Sequence, residues 1–276
     1  MAEATRCAAE SWWIADSNLS SADNALGCES VRNHDLDLLD NARTGTPLTA
    51  SQKAHFGLPF ANPMAPSDVD AALATLPIGA GASIVDTGCG NGEILARAVR
   101  CHGGIRGVGV DLDPVALASA KAHGDRLPLS FELRDAAEVQ GTFDAAINVA
   151  ASHAYGDTSA ALAELRRLAP AALFGEGFWM RRPSTGFLEA LGGASEDELT
   201  DLPGLRDAIR GHGFEILGEW RASTRDWANY EQTLIRNAER DGSPECMAYA
   251  GRIRRRRALP DGLHTLGFGL FVLIRR

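Results

Sequence analysis

The nine residues from Ile84 to Gly92, IVDTGCGNG, constrain this chain more than any other stretch. An apolar run ends in Asp86, glycines follow at 88, 90 and 92, and a helical pattern, GEILARAVRCH, begins at once. Alternate glycines suit a tight strand-to-helix turn in which a ligand approaches backbone that carries no Cβ. The helix start behind the turn offers unpaired N–H groups to whatever lies over it. A dinucleotide would rest its pyrophosphate there and normally brings GxGxxG. Here the spacing is GxGxG, and Asp86 stands ahead of it. A carboxylate at that place repels a pyrophosphate and favours a ligand carrying an ammonium or sulfonium.

The texture around the loop places it in an α/β fold. Short apolar runs at Ser83–Asp86, Arg106–Asp111, Leu129–Leu133, Phe143–Val149 and Ala171–Phe178 alternate with helical patterns. Asp113 caps the second helix with Pro114 in its first turn, and another helix covers Thr158–Leu168. Buried strands separated by such helices mean crossover units and a parallel sheet. Two late strands, one ending near Trp220 and one in LHTLGFGLFVLIRR, complete the count. The expected fold is a Rossmann-like, doubly wound seven-stranded sheet, mostly parallel with the last strand antiparallel. Residues 1–78 show short helical stretches broken by Pro and polar residues and read as an N-terminal helical cap or lid. Within it Ser67 is the expected N-cap of DVDAALATL. Residues 79–276 form the ligand-binding domain, with a helical insertion at about 223–257.

Successive strand ends carry further carboxylates. Asp111 ends the second strand, where such folds hold ribose hydroxyls, and Asp135 with Ala136 follows the third, where an adenine amino edge would lie. Together with Asp86 they point to S-adenosylmethionine. At this point a family is recognisable. VDTGCGNG, GVGVDLDP, LRDAAEV and FDAAINVAASHAYG resemble the first four motifs of class I S-adenosylmethionine-dependent methyltransferases. The resemblance spans residues 82 to about 220. It implies that Asp86, Gly88, Gly90 and Gly92 surround the methionine moiety, Asp111 and Leu112 the ribose, and Asp135 and Ala136 the adenine; Asn148 joins the cofactor-binding set. SHAYG and LFGEGFWMRRPS look like a group of bacterial methyltransferases of largely undefined substrate.

The acceptor is expected over the ends of strands four and five. His153 is the candidate general base, its ordinary pKa lying near neutrality, and Glu176 the second candidate catalytic group. Tyr155, Trp179, Trp227 and Tyr230, with His55 and Phe56 from the cap, are candidate substrate contacts; an aromatic wall would favour a cation. No [DN]PP[YF] sequence and no Pro-Cys pair appears, which argues against nucleobase acceptors. Trp12 and Trp13 would anchor the cap or a dimer contact.

Charge and cysteine usage narrow the partners. A net charge of −9 on 276 residues disfavours a polyanion. The one basic run, Arg252 to Arg257, reads as a solvated helix face. Cys7, Cys28, Cys89, Cys101 and Cys246 are scattered without a CxxC pair, so neither a disulfide framework nor a metal site is expected. No apolar run reaches the roughly 18 residues of a membrane span, and no signal peptide is read at the N-terminus, so the expectation is a cytoplasmic protein, monomer or homodimer. The leading reading is methyl transfer to an N, O or carboxylate acceptor of a small molecule. Protein or RNA methylation, a nicotinamide-dependent oxidoreductase and a non-catalytic binding module are the alternatives.

Overall fold

The computed structural model describes residues 47–260 and 262–276. Residues 1–46 of the expected cap, with Trp12, Trp13, Cys7 and Cys28, lie outside the described residues. The elements are α1 (Ala50–His55), α2 (Pro66–Thr75), β1 (Ser83–Thr87), α3 (Glu93–His102), β2 (Arg106–Asp111), α4 (Pro114–Gly124) and β3 (Leu129–Leu133). They continue with β4 (Ala145–Val149), α5 (Thr158–Leu168), β5 (Ala171–Trp179), α6 (Thr185–Ala190), α7 (Leu202–Gly211), β6 (Phe214–Arg221), α8 (Thr224–Asp241), α9 (Pro244–Ala258) and β7 (Leu266–Arg275). Short 3₁₀ turns occupy Ala136–Glu138, Ser152–Tyr155 and Glu196–Glu198.

The seven strands lie in the order β3-β2-β1-β4-β5-β7-β6. β1 to β5 pair in parallel, whereas β7 runs antiparallel to both β5 and β6. The order reverses between β1 and β4, and in an open sheet a ligand binds at the carboxyl ends of the strands beside that reversal. Every strand of the centre is buried on both sides, so its residues alternate between two cores. Ile84, Ile147, Leu173 and Leu270 face one, packed with α1, α2, α3, α8 and α9. Val85, Ala146, Phe174 and Phe271 face the other, packed with α5 and α7.

Local chemistry sets most boundaries. Asp113 caps α4 through the Val115 and Ala116 N–H groups, as its Asp-Pro sequence implies. The N-cap of α2 falls two residues before the expected Ser67: Pro66 takes the first helical position and Ala65 is the N-cap, without a side-chain cap bond. Proline's fixed φ suits that position and its missing N–H costs nothing there. β4 begins at Ala145 rather than Phe143: the Phe143 N–H donates to the Leu168 carbonyl at the end of α5, and the Asp144 N–H is the first to reach β1, at the Ser83 carbonyl. The expected insertion is two helices. Ser223 opens α8 with a capping box and Gly242, at φ +73°, ends it, which lets α9 fold back against it.

The basic run is only partly a solvated face. Arg254 and Arg255 are exposed, but Arg256 and Arg257 turn inward to Glu231 of α8. Arg256 donates to its carboxylate at 2.5 Å and stacks over the Phe187 ring. Glu231 is 2% exposed, so this ion pair is a joint inside the α8–α9 layer. Arg254 pairs with Glu239. Among the described residues no helix is long and apolar enough to cross a membrane, and no group of three His, Cys, Asp or Glu is placed to hold a metal.

Candidate active site

β1 carries Asp86 to the carboxyl edge of the sheet, where the chain turns over the end of β2. Gly88 and Cys89 donate to the Val110 carbonyl at 2.9 and 3.0 Å, and Gly90 donates to Asp111 at 2.7 Å. The other Asp111 oxygen accepts from the Asp113 N–H at 2.9 Å. Asp111 therefore ties the glycine loop to the end of β2. The three glycines answer different needs. A Cβ on Gly88 would strike the Ala151 methyl, and one on Gly92 would lie 2.7 Å from the Phe131 ring and 2.9 Å from Ala120. A Cβ on Gly90 would meet nothing within 4 Å, so this residue presents bare backbone to open space.

Two carboxyls face each other at the mouth of this loop. Asp86 is 2% exposed, and burial, reinforced by the negative charge of Asp111, pushes its pKa well above the ordinary carboxylate value. Burial raises Asp111 too, although backbone N–H groups of Asp113, Gly90 and Leu112 hold the shift back. No Lys, Arg or His among the described residues forms an ion pair with either. Glu93 adds a third acid in the first turn of α3. A pyrophosphate would be repelled at this helix end, whereas a cationic group would relieve the buried Asp86 and the half-buried Asp111.

Beyond the loop, Leu112 and Leu133 are large apolar side chains left 66% and 63% exposed at the ends of neighbouring strands. Asp135 caps the 3₁₀ turn that follows by accepting from the Ala137 N–H, and Ala136 is buried beneath it. An apolar shelf beside a carboxylate fits a flat, amine-bearing ring such as adenine. This donor set fits S-adenosylmethionine throughout: acids for the sulfonium end, Asp111 for the ribose, the shelf for the base.

The segment after β4 closes the other side. Asn148 is fully buried, and its amide donates to the Thr87 and Ala151 carbonyls and the Thr87 hydroxyl. Ala150 takes φ +58°, unusual for a residue with a Cβ, held by its N–H on the Gly175 carbonyl at 2.9 Å. Next comes the 3₁₀ turn with His153, which lies near enough to Asp111 to feel its charge. Burial lowers the His153 pKa and Asp111 partly restores it. Tyr155 turns back into the α5 side, its hydroxyl buried beside Thr87.

Glu176 is 3% exposed. It accepts from the Thr158 hydroxyl at 3.2 Å and from the Gly177 N–H at 2.8 Å. Burial raises its pKa, against hydrogen bonds from Ser152, Gly177 and Thr158. The carboxyl thus grips the segment that bears His153, one residue after Ser152.

α1, the segment to Pro59 and α8 meet beside this edge. Gln52 of α1 donates to Asp113 at 2.8 Å, and Asn91 of the glycine loop donates to the Pro59 carbonyl at 3.2 Å. On its other flank the Asn237 amide of α8 holds the Ala54 and Phe56 carbonyls at 2.9 and 2.8 Å, and Lys53 pairs with Asp241 at 3.0 Å. His55 bonds the Tyr230 hydroxyl at 2.7 Å, and the Tyr230 and Trp227 rings meet edge to face at 6.1 Å. Trp179 lies in the same core, edge-on to Phe187, with its indole N–H on the Glu196 carbonyl. The structure therefore gathers His55, Trp227 and Tyr230 on one side of the loop and Asp86, Asp111 and His153 at the strand ends. Phe56 contributes backbone at the end of α1. Sequence reasoning missed Gln52, Asn91 and Leu133. The first two are polar residues in loops or short helices with no distinguishing pattern; an apolar residue at a strand end reads as core.

The chain has relatives of known structure. Residues 84–170 match a family model described as a methyltransferase domain. A structure of a SAM-dependent methyltransferase from Thiobacillus denitrificans, in complex with S-adenosyl-L-homocysteine, is 27% identical. The match covers 81% of this chain and 97% of that one with a TM-score of 0.69. A SAM-dependent methyltransferase from Geobacter sulfurreducens, also with S-adenosyl-L-homocysteine, is 24% identical over 82% and 98%, TM-score 0.71. YjhP from E. coli is 27% identical over 81% and 98%, TM-score 0.69. No curated protein sequence matches the chain.

Proposed function

We propose that this chain, an S-adenosylmethionine-dependent methyltransferase of class I, delivers the methyl group to an N, O or carboxylate acceptor on a small molecule. The observation that carries the cofactor geometry is the pair of buried Asp86 and half-buried Asp111 beside the open backbone of Gly90. Bound there, the cofactor supplies an electrophilic methyl on a cationic sulfur, and the two carboxyls offset that charge. Asp111 holds the ribose, Leu112 and Leu133 flank the adenine, and Asp135 with Ala136 meets its polar edge.

Three features support a small acceptor. Among the described residues, α1 and the segment to Pro59 close directly on Asp113 and on the glycine loop. The wall offered by α1 and α8 is aromatic, from His55, Trp227 and Tyr230. Finally, three of the five arginines in the basic run that would have served RNA are paired within the fold, with Glu231 and Glu239. His153 lines the acceptor side with a neutral imidazole, and Glu176 acts through Ser152 to hold that segment in place rather than by touching the acceptor.

Calorimetric titration with S-adenosylhomocysteine, with NADH as the parallel control, tests the cofactor site. Micromolar binding of the former alone is expected; binding of NADH would contradict the reading of Asp86. A screen of small amines, phenols, alcohols and acids for cofactor turnover then tests the acceptor class. Methylation confined to a protein or an RNA would overturn it. His153→Ala should lower turnover with S-adenosylhomocysteine affinity retained.

A further inference from the structure

The His55 side chain is held at both ring nitrogens. Nδ1 lies 2.8 Å from the Ser51 carbonyl oxygen, which can only accept. Nδ1 therefore bears the hydrogen. Nε2 lies 2.7 Å from the Tyr230 hydroxyl. Burial lowers the His55 pKa, opposed by the bond to Ser51, so the ring is neutral near pH 7 and Nε2 presents a lone pair. The Tyr230 O–H then has one direction to point, and it donates to Nε2. This leaves the phenol oxygen with free lone pairs, backed by a base whose tautomer is fixed by backbone. The arrangement has the logic of a nucleophile–base–orienter chain, with a tyrosine at its head.

From this geometry, and resting on the acceptor site proposed above, we infer that Tyr230 and His55 form a proton relay serving acceptors that must lose a hydrogen. The acceptor's O–H hydrogen passes to the Tyr230 oxygen while the Tyr230 hydrogen passes to His55 Nε2. The electron pair left on the acceptor oxygen forms the new bond to the methyl carbon, and the carbon–sulfur pair departs with the sulfur. The positive charge of the sulfonium is replaced by that of the His55 imidazolium, which returns its proton to water after turnover. An acceptor that is already a carboxylate has no proton to give and does not need the relay.

His55 stands on the helix whose Gln52 reaches Asp113, and Tyr230 stands one turn from Trp227. The groups facing the pair are Tyr249 and Arg256 from α9, Glu231 from α8, and the Ser51 hydroxyl of α1, 3.4 Å from Nδ1. Burial holds the Tyr230 phenol well above its ordinary pKa, with Tyr249 and Glu231 adding to the shift and Arg256 opposing it. Tyr230 therefore stays protonated and serves as a conduit rather than a standing base. His153 forms no such side-chain hydrogen bond among the described residues, so nothing fixes its tautomer.

Histidine-¹⁵N NMR of the protein, with and without S-adenosylhomocysteine, decides the resting state without any acceptor. The His55 signal is expected to show a neutral Nδ1–H imidazole at pH 7. An imidazolium or an Nε2–H tautomer there overturns the relay. Tyr230→Phe and His55→Gln are then compared on hydroxyl and carboxylate acceptors. Turnover of hydroxyl acceptors should fall about a hundredfold, the lower end of general-base contributions, with a clearly smaller loss on carboxylate acceptors and S-adenosylhomocysteine affinity within about twofold. Equal losses on both acceptor types, or no loss on hydroxyls, refute it. Should the wild type methylate no small molecule, the small-acceptor reading falls while the imidazole signal still decides the relay.

Discussion

Replacing Gly90 and Gly92 in turn by alanine separates ligand binding from folding within one loop. Both have positive φ, +52° and +73°. Forcing a Cβ into that conformation costs about 1–2 kcal/mol, and the loss of unfolded-chain freedom returns about 0.4–1 kcal/mol. At Gly90 the new methyl meets nothing within 4 Å. The net destabilisation of Gly90→Ala should therefore be only about 0.5–1.5 kcal/mol. At Gly92 the methyl would stand 2.7 Å from two atoms of the Phe131 ring and 2.9 Å from Ala120, in a packed layer that has to shift. Overpacking of that kind adds about 1–3 kcal/mol, so Gly92→Ala should lose roughly 2–4 kcal/mol. The order reverses for the cofactor, because the Gly90 methyl projects into the open space proposed for the ligand. Urea unfolding of the ligand-free proteins gives the first quantity, and calorimetry with S-adenosylhomocysteine the second. Gly90→Ala should bind at least tenfold more weakly, equivalent to about 1.4 kcal/mol. Wild-type affinity in Gly90→Ala, or equal destabilisation by the two substitutions, would refute the assignment of their separate roles.

Other perturbations follow from the same geometry. Burial and Asp111 raise the Asp86 pKa, so the native state holds this proton more tightly than the unfolded chain. Its contribution to stability is present below the unfolded value of about 4 and is lost as pH rises through the higher native value; Asp111 and Glu176 shift in the same direction. The urea midpoint of the ligand-free protein should show a component that declines from about pH 4 upward. Asp86→Asn should flatten it, and an unchanged slope in the variant contradicts the attribution. Asp111→Ala removes the acceptor of the Gly90 and Asp113 N–H groups. Charged hydrogen bonds are worth about 1.5–3 kcal/mol, so S-adenosylhomocysteine affinity should fall roughly 10- to 100-fold by calorimetry. Glu231→Ala strands Arg256 and Arg257 in the α8–α9 layer and should cost about 3–5 kcal/mol in thermal or urea unfolding; a loss below 1 kcal/mol would mean that the pair is screened as a surface bridge is.

The first five strands and the loop were legible because each signal is local. Apolar runs of four to eight residues bounded by Gly, Asp and Pro can be read without knowing their neighbours, and GxGxG after a strand specifies its own turn. Asp111 and Asp135 were legible for the same reason: strand ends in a parallel sheet all lie at one edge, so their order in the chain becomes proximity in space. Ser67 was misplaced because Pro66 competes for the same helix start, and a fixed φ outweighs a cap hydrogen bond. The arginine run was misread in part because helical spacing alone does not reveal which residues another helix will cover.

What the sequence by itself determined was the alternation of strands and helices, the glycine turn and the acids around it, since backbone sterics and short-range capping decide these. Only the tertiary structure decided the rest. It brought His55 of α1 to Tyr230, 175 residues away, at 2.7 Å. It also set Gln52 against Asp113, left Leu133 bare beside Leu112, and turned Glu176 toward Ser152 and Thr158. These contacts depend on how helices settle over the sheet edge to bury Trp227, Tyr230 and Glu231, a balance of packing and desolvation over the whole layer that no local pattern records.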